Sequence, residues 1–112
     1  MINLHGRRMY VSSTAATGVV DADTRLHFIQ KGTRVAARYT GGRVKRGWLS
    51  GRLSGAELEF RYAQVESSGA VQGGHSHCVV ECLSSGRVRI IERFTWTSRP
   101  GSGTNVFDEF VE

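Results

Sequence analysis

The chain has 112 residues, enough for one core and too few for a second, and its formal charge is +5, with 15 Lys and Arg against 10 Asp and Glu. Fourteen glycines beside a single proline suit many tight turns and little linker. No run approaches the roughly 18 apolar residues of a membrane span, and the first residues, Met1 to Arg8, lack an apolar signal-peptide stretch. A soluble, cytoplasmic protein is therefore expected, in one domain over residues 1–112.

The charge is uneven. Residues 1–52 carry ten Lys and Arg against Asp21 and Asp23, whereas residues 53–112 carry five against eight Asp and Glu. A basic half suits an anionic partner, and Arg34, Arg38, Arg43 and Lys45 would then face nucleic acid from an outer surface. The basic residues are dispersed, however, so neutralisation by acidic strands across a sheet is the favoured expectation, and nucleic acid is not expected as a partner.

Taken in chain order, residues 1–20 hold one strand, Arg7 to Val11, and a Ser/Thr/Ala-rich connector from Ser12 to Gly18. From there, short alternating segments separated by turn signals point to an all-β protein, with no helical periodicity over ten residues. A turn at Lys31-Gly32 sets Phe28 opposite Val35, and Gly41-Gly42 sets Tyr39 opposite Val44 and Val35 opposite Trp48. A three-residue loop at Ser54-Gly55-Ala56 sets Trp48 opposite Tyr62; a two-residue loop would separate them onto opposite faces. Ser67-Ser68 then places Phe60 against His75, and Ser84-Ser85 places Val79 against Ile90 and His77 against Glu92. Arg99-Pro100-Gly101 places Phe94 against Val106, Ile90 against Phe110 and Glu92 against Asp108. All these registers put the larger apolar side chains on one face. The expected fold is a single antiparallel meander of about eight strands closed into an up-and-down barrel; an open curved sheet covered by a partner subunit is the alternative.

The same inner face would carry Arg46, Gln64, His75, His77, Glu81, Glu92 and Asp108, which are costly inside a barrel unless they pair or hold a ligand. Trp48, Tyr62 and Trp96 could line a cavity in which Arg46, Gln64, His77 and Glu92 fix a small molecule's polar atoms. His75-Ser76-His77 supplies two imidazoles on one side of a strand, with Glu81 or Glu92 as a third ligand, but the spacing selects no metal and none is expected. Glu92 facing Asp108 would suit acid and base work, and His77 with either carboxylate would suit hydrolysis or acyl transfer. No nucleophile elbow accompanies them, so the sequence leans away from an enzyme and calls for no cofactor. Gly41 to Gly47 looks like a phosphate loop but continues as a strand rather than a helix.

Cys78 and Cys82 on one strand would lie about 13 Å apart, too far for a disulfide. Cys78, Val80, Ile91, Phe107 and Val111 would point outward together, a patch suited to a homodimer.

Three segments, Gly41-Gly42-Arg43-Val44-Lys45-Arg46-Gly47-Trp48-Leu49-Ser50-Gly51, Arg61-Tyr62-Ala63-Gln64-Val65 and Glu92-Arg93-Phe94-Thr95-Trp96-Thr97-Ser98, resemble a family of small bacterial proteins that look avidin-like and often carry the label N-acetylglutamate synthase. The resemblance spans roughly residues 24–112. It implies an avidin-like or lipocalin-like meander barrel and little about activity. The label would imply an acetyltransferase, which needs an α/β fold with a loop gripping the pyrophosphate of acetyl-CoA, and no segment supplies one.

Overall fold

The computed structural model describes residues 2–110. Eight strands run in order: β1 (Arg8–Ser13), β2 (Arg25–Lys31), β3 (Arg34–Gly41), β4 (Val44–Ser54), β5 (Glu57–Glu66), β6 (Val71–Cys82), β7 (Val88–Trp96) and β8 (Ser102–Glu109). Each pairs antiparallel with its sequence neighbour, and β8 returns to β1, so the sheet closes into a barrel. Closure removes the free edges that the open-sheet alternative would have left for a partner. Among the described residues no helix is long and apolar enough to cross a membrane.

The expected inner face holds for β2, β3, β5 and β7 and is inverted on β4, β6 and β8. The first hairpin turns at Gly32-Thr33, so that Phe28 faces Ala37; this slides the register by an even step and leaves the faces unchanged. The second hairpin contains irregularities between Tyr39 and Gly41 and between Val44 and Arg46, and Tyr39 meets Gly47 instead of Val44. A bulge of this kind reverses the alternation beyond it. Gly47, Leu49, Gly51 and Leu53 therefore line the interior, and Arg46, Trp48, Ser50 and Arg52 point out.

Gly55-Ala56 makes a two-residue turn, so Leu49 faces Tyr62 and Gly51 faces Phe60, and Trp48 and Tyr62 stand on opposite faces. Phe60 meets Ser76 rather than His75, and Val80 rather than Val79 meets Ile90. Glu92 meets Asn105, not Asp108, and Ile90 meets Phe107, not Phe110.

These corrections dissolve the expected outer patch. Cys78, Val80 and Phe107 are buried inside the barrel, Ile91 keeps its outward position half-buried, and Val111 lies outside the described residues. The outer apolar row on that wall is Val79, Ile91 and Val106, one from each of three adjacent strands.

The two ends of the barrel differ. At one end Leu4 is driven fully inside, anchored by its N–H donating to Gln30 Oε1 (2.8 Å) and by the Gly6 N–H donating to the Phe28 carbonyl (2.9 Å). It packs in an apolar cluster that includes Met9, Phe28, Leu58, Val88 and Ile90, all fully buried, each such side chain worth about 1.5–3 kcal/mol of burial. At the other end the connector between β1 and β2 folds across the opening, where Val19 is buried and Val20 is half-buried. Gly18 and Val19 there close over the polar half of the interior.

Candidate functional site

Beneath the connector, the inward positions of β3, β5, β6, β7 and β8 bring together Tyr39, Tyr62, Gln64, Ser76, Glu92, Trp96 and Asn105. Their arrangement follows from small residues opposite large ones. Gly47 faces Tyr39 across the β3–β4 ladder, and a Cβ there would run into the tyrosine ring. Gly74 faces Tyr62 in the same way, and a Cβ would meet its hydroxyl. Glycine at these positions lets two tyrosines lie flat across the barrel.

Glu92 is buried and accepts hydrogen bonds from Ser76 Oγ (2.7 Å) and Asn105 Nδ2 (2.9 Å). Among the described residues, the buried polar and charged ones include no cation. Burial pushes the Glu92 carboxyl above its ordinary range, against the two hydrogen bonds that favour the ionised form. Asn105 Oδ1 in turn accepts from the Ala15 N–H (3.0 Å), so the carboxyl is linked through one side chain to the connector. Tyr39 donates to Gln64 Oε1 (3.0 Å), and Gln64 Nε2 donates to Glu66 Oε2 (3.2 Å).

Tyr62 is different. Its hydroxyl is buried with no hydrogen-bond partner, the one such side-chain atom among the described residues. Burial, reinforced by the nearby Glu92, raises both Tyr39 and Tyr62 above the usual phenol range and keeps them as donors. The ring of Tyr62 meets Trp96 edge-on at 5.6 Å and Phe60 at 6.2 Å, and Trp96 meets Phe94 at 5.7 Å. Arg99 covers Trp96 from outside at 4.1 Å, and the Trp96 Nε1–H donates to the Thr17 carbonyl (2.9 Å), pinning the connector.

The enclosed space is small, with about 30 Å³ of room for water centres. That suits a water or two, against the roughly 300 Å³ and more of a typical ligand pocket. A larger guest therefore requires the connector to lift.

Of the seven residues expected to bind ligand, Tyr62, Gln64, Glu92 and Trp96 converge in this interior. Arg46, Trp48 and His77 lie on the outer wall. His77 Nε2 pairs with Glu59 Oε1 at 2.7 Å there, so no imidazole reaches Glu92. Asp108 also points out and is held by Arg89 (2.7 Å), whose hydrogen bonds keep its carboxyl below the usual range. The expected pairs of His77 with Glu92 and of Glu92 with Asp108 are thus not assembled. Among the described residues no group of three His, Cys, Asp or Glu side chains converges to hold a metal ion. Gly41 and Gly42 serve a turn, both with positive φ, and β4 follows directly.

Ser76, Asn105 and the connector were missed by sequence reasoning. The signal for Ser76 was the alternation of β6 itself: once His75 and His77 are placed outside, the serine between them must face in.

Together the closed eight-strand meander, the apolar plug at one end and the aromatic and polar chamber at the other define a small up-and-down barrel. A family model described as avidin-like protein matches residues 2–110, and the chain belongs to that family. The match takes in β1, which the resemblance read from the sequence had left out. No curated protein and no solved structure matched the chain.

Proposed function

We propose that this protein binds a small molecule in the connector end of the barrel, with a hydrogen-bonding head group directed at Tyr62, Glu92 and Gln64 and an apolar part against Trp96 and Phe94. The observation that carries this reading is the unpartnered Tyr62 hydroxyl in an aromatic chamber beside a buried carboxyl with no cation. A buried polar group without a partner costs about 1–3 kcal/mol, and a guest that accepts from Tyr62 and donates to Glu92 would recover that cost. Avidin-like membership supports the same reading. The connector, tied to the chamber by Asn105 and Trp96, acts as the lid.

Trp48 lies outside and Trp96 inside, so a Trp48→Phe variant leaves Trp96 as the only indole and the reporter of the chamber. Small amides, ureas and amines screened against it should include compounds that shift Trp96 emission and weaken at least about ten-fold in Tyr62→Phe or Glu92→Gln, since a hydrogen bond to a charged group is worth about 1.5–3 kcal/mol. Silence across the screen, together with native mass spectrometry showing only the bare chain, would end the proposal.

A second reading rests on the outer row Val79, Ile91 and Val106, with Val79 half exposed: a structural module that dimerises through this wall. Sedimentation of the wild type and Val79→Asp decides it. A monomer at high concentration removes the reading; a dimer lost in the variant supports it.

A further inference from the structure

The alternation that turns Gly47 and Gly51 inward collects cations on the opposite wall. Arg34 stands opposite Arg52, and Arg38 opposite Trp48. Ser50 faces Arg61, which faces His75 on the next strand, and His77 faces Arg93. Arg34, Arg38, Arg46, Arg52, Arg61 and Arg93 are all exposed on β3, β4, β5 and β7, with the exposed His75 and His77 on β6 between the last two, a width of about 19 Å at ordinary strand spacing.

None of the six forms an ion pair among the described residues. Of the acids on the outer face of β5, Glu59 is engaged by His77, and Glu57 sits at the far end of the strand beside the β4–β5 turn. Asp108 and Glu109 are spent on Arg89 and Arg7 on the other side of the barrel. Glu59 also stands directly opposite Arg52, so the neutralisation across the sheet expected from the sequence reaches this wall at that position and leaves the other cations of the wall in excess. Like charges directly opposite each other, as at Arg34 and Arg52, are destabilising in an isolated sheet.

Two hollows mark the wall. One of about 920 Å³ is lined by Arg34, Arg52, Arg61 and Arg93 together with Glu59, and one of about 540 Å³ by Arg38, Lys45, Arg46 and Trp48. Trp48 is 53% exposed, and no aromatic ring or cation–π partner among the described residues meets it, in contrast to Trp96, which packs against Tyr62, Phe94 and Arg99. An uncovered indole set among guanidinium groups can stack a base while its neighbours hold phosphates.

We propose that this wall binds single-stranded nucleic acid, with phosphates on Arg34, Arg52, Arg61 and Arg93 and a base on Trp48. A single strand is favoured over a duplex because only unpaired bases offer a face to Trp48. It is favoured over an acidic protein because the six cations are guanidinium groups spread across four strands, suited to a repeating anion.

The test is fluorescence anisotropy with labelled oligo-dT and oligo-U over a salt series. Four phosphate contacts give a slope of log K against log salt of about −3. Arg52→Glu with Arg61→Glu should flatten that slope by about 1.4 and weaken binding more than ten-fold. Trp48→Ala should weaken binding at least about five-fold with the slope unchanged. These positions are exposed, and an unchanged melting temperature and Trp96 emission verify that the barrel is intact. Absence of binding at low salt, a slope near zero, or a Trp48→Ala variant that binds as the wild type does would overturn the proposal. So would duplex DNA or inorganic polyphosphate competing as well as the single strand at equal phosphate concentration. None of these outcomes bears on the interior chamber, which lies on the other face of the same strands.

Discussion

A carboxyl group enclosed among Tyr39, Tyr62 and Trp96, with no interior cation among the described residues, must give up its charge or meet a partner that supplies one. Burial raises the Glu92 pKa above its ordinary 4.5, so the folded protein holds this proton more tightly than the unfolded chain does. The stability linked to Glu92 is then complete below the unfolded pKa and declines as pH rises through the folded one. Glu92→Gln keeps an oxygen for Asn105 and an amide for Ser76 and removes the titration. The difference in melting temperature between variant and wild type should therefore grow in the variant's favour from about pH 4.5 upward. A difference that stays constant between pH 4 and 8 would show that burial does not raise this carboxyl. Asp108, held low by Arg89, loses its share of stability in the opposite direction, as pH falls through its lowered pKa, and is unaffected by the substitution. Gly47 supplies the second test at this scale: Gly47→Ala places a methyl against the Tyr39 ring and should cost about 1–3 kcal/mol in urea unfolding, the usual range for overpacking.

Among the elements, the connector between β1 and β2 covers the chamber. Its attachments are few: the Trp96 indole on Thr17, Asn105 on Ala15, Thr17 on the Ser102 carbonyl and Arg43 on Gly18. Trp96→Phe removes one of them together with part of the buried indole, and should cost at least about 1 kcal/mol. Amide exchange at residues 15–20 should rise while that of β4 and β5 stays fixed; equal acceleration in both would mean that the connector is part of the barrel's cooperative unit rather than a lid. The sequence disclosed the meander and the faces of β2, β3, β5 and β7, because Leu26, Phe28, Tyr39, Phe60, Ile90 and Phe94 are large and regularly spaced. It misled on β4, β6 and β8 for a common reason, the premise that the bulkiest residue faces in. Space inside a narrow barrel is shared across strands, so Tyr39 and Phe60 are accommodated by Gly47 and Gly51, and Trp48 goes outside. In β6 the small residues Ser76 and Cys78 take the interior and the histidines leave it. The bulge at Lys45 carries no local signature, and one unseen bulge is enough to move Arg46 and Trp48 from the chamber to the wall. The connector shows no periodicity, since its place is set by Trp96 and Asn105, about 80 to 90 residues away in sequence.

At the scale of the whole molecule, closure between β1 and β8 gives every strand two neighbours, so no strand can leave without breaking two ladders. The two cysteines convert this into a measurable property. Cys82 is exposed at the end of β6, whereas Cys78 is buried, pointing inward opposite Glu92. Burial, and then the nearby carboxyl, raise the Cys78 thiol well above its ordinary pKa, so the folded form contains almost no reactive thiolate at that position. A thiol reagent should therefore modify one equivalent at once, at Cys82. In a Cys82→Ser variant, the labelling of Cys78 should then proceed only through opening of the barrel. Exposing it requires β6 to part from β5 or β7 along ladders of nine paired residues each, which breaks the closed sheet. The opening free energy from Cys78 labelling under conditions of fast reclosing should accordingly equal the global unfolding free energy from urea titration. A markedly smaller value would reveal a seam at β6, and the barrel would then have a second route into its interior besides the connector.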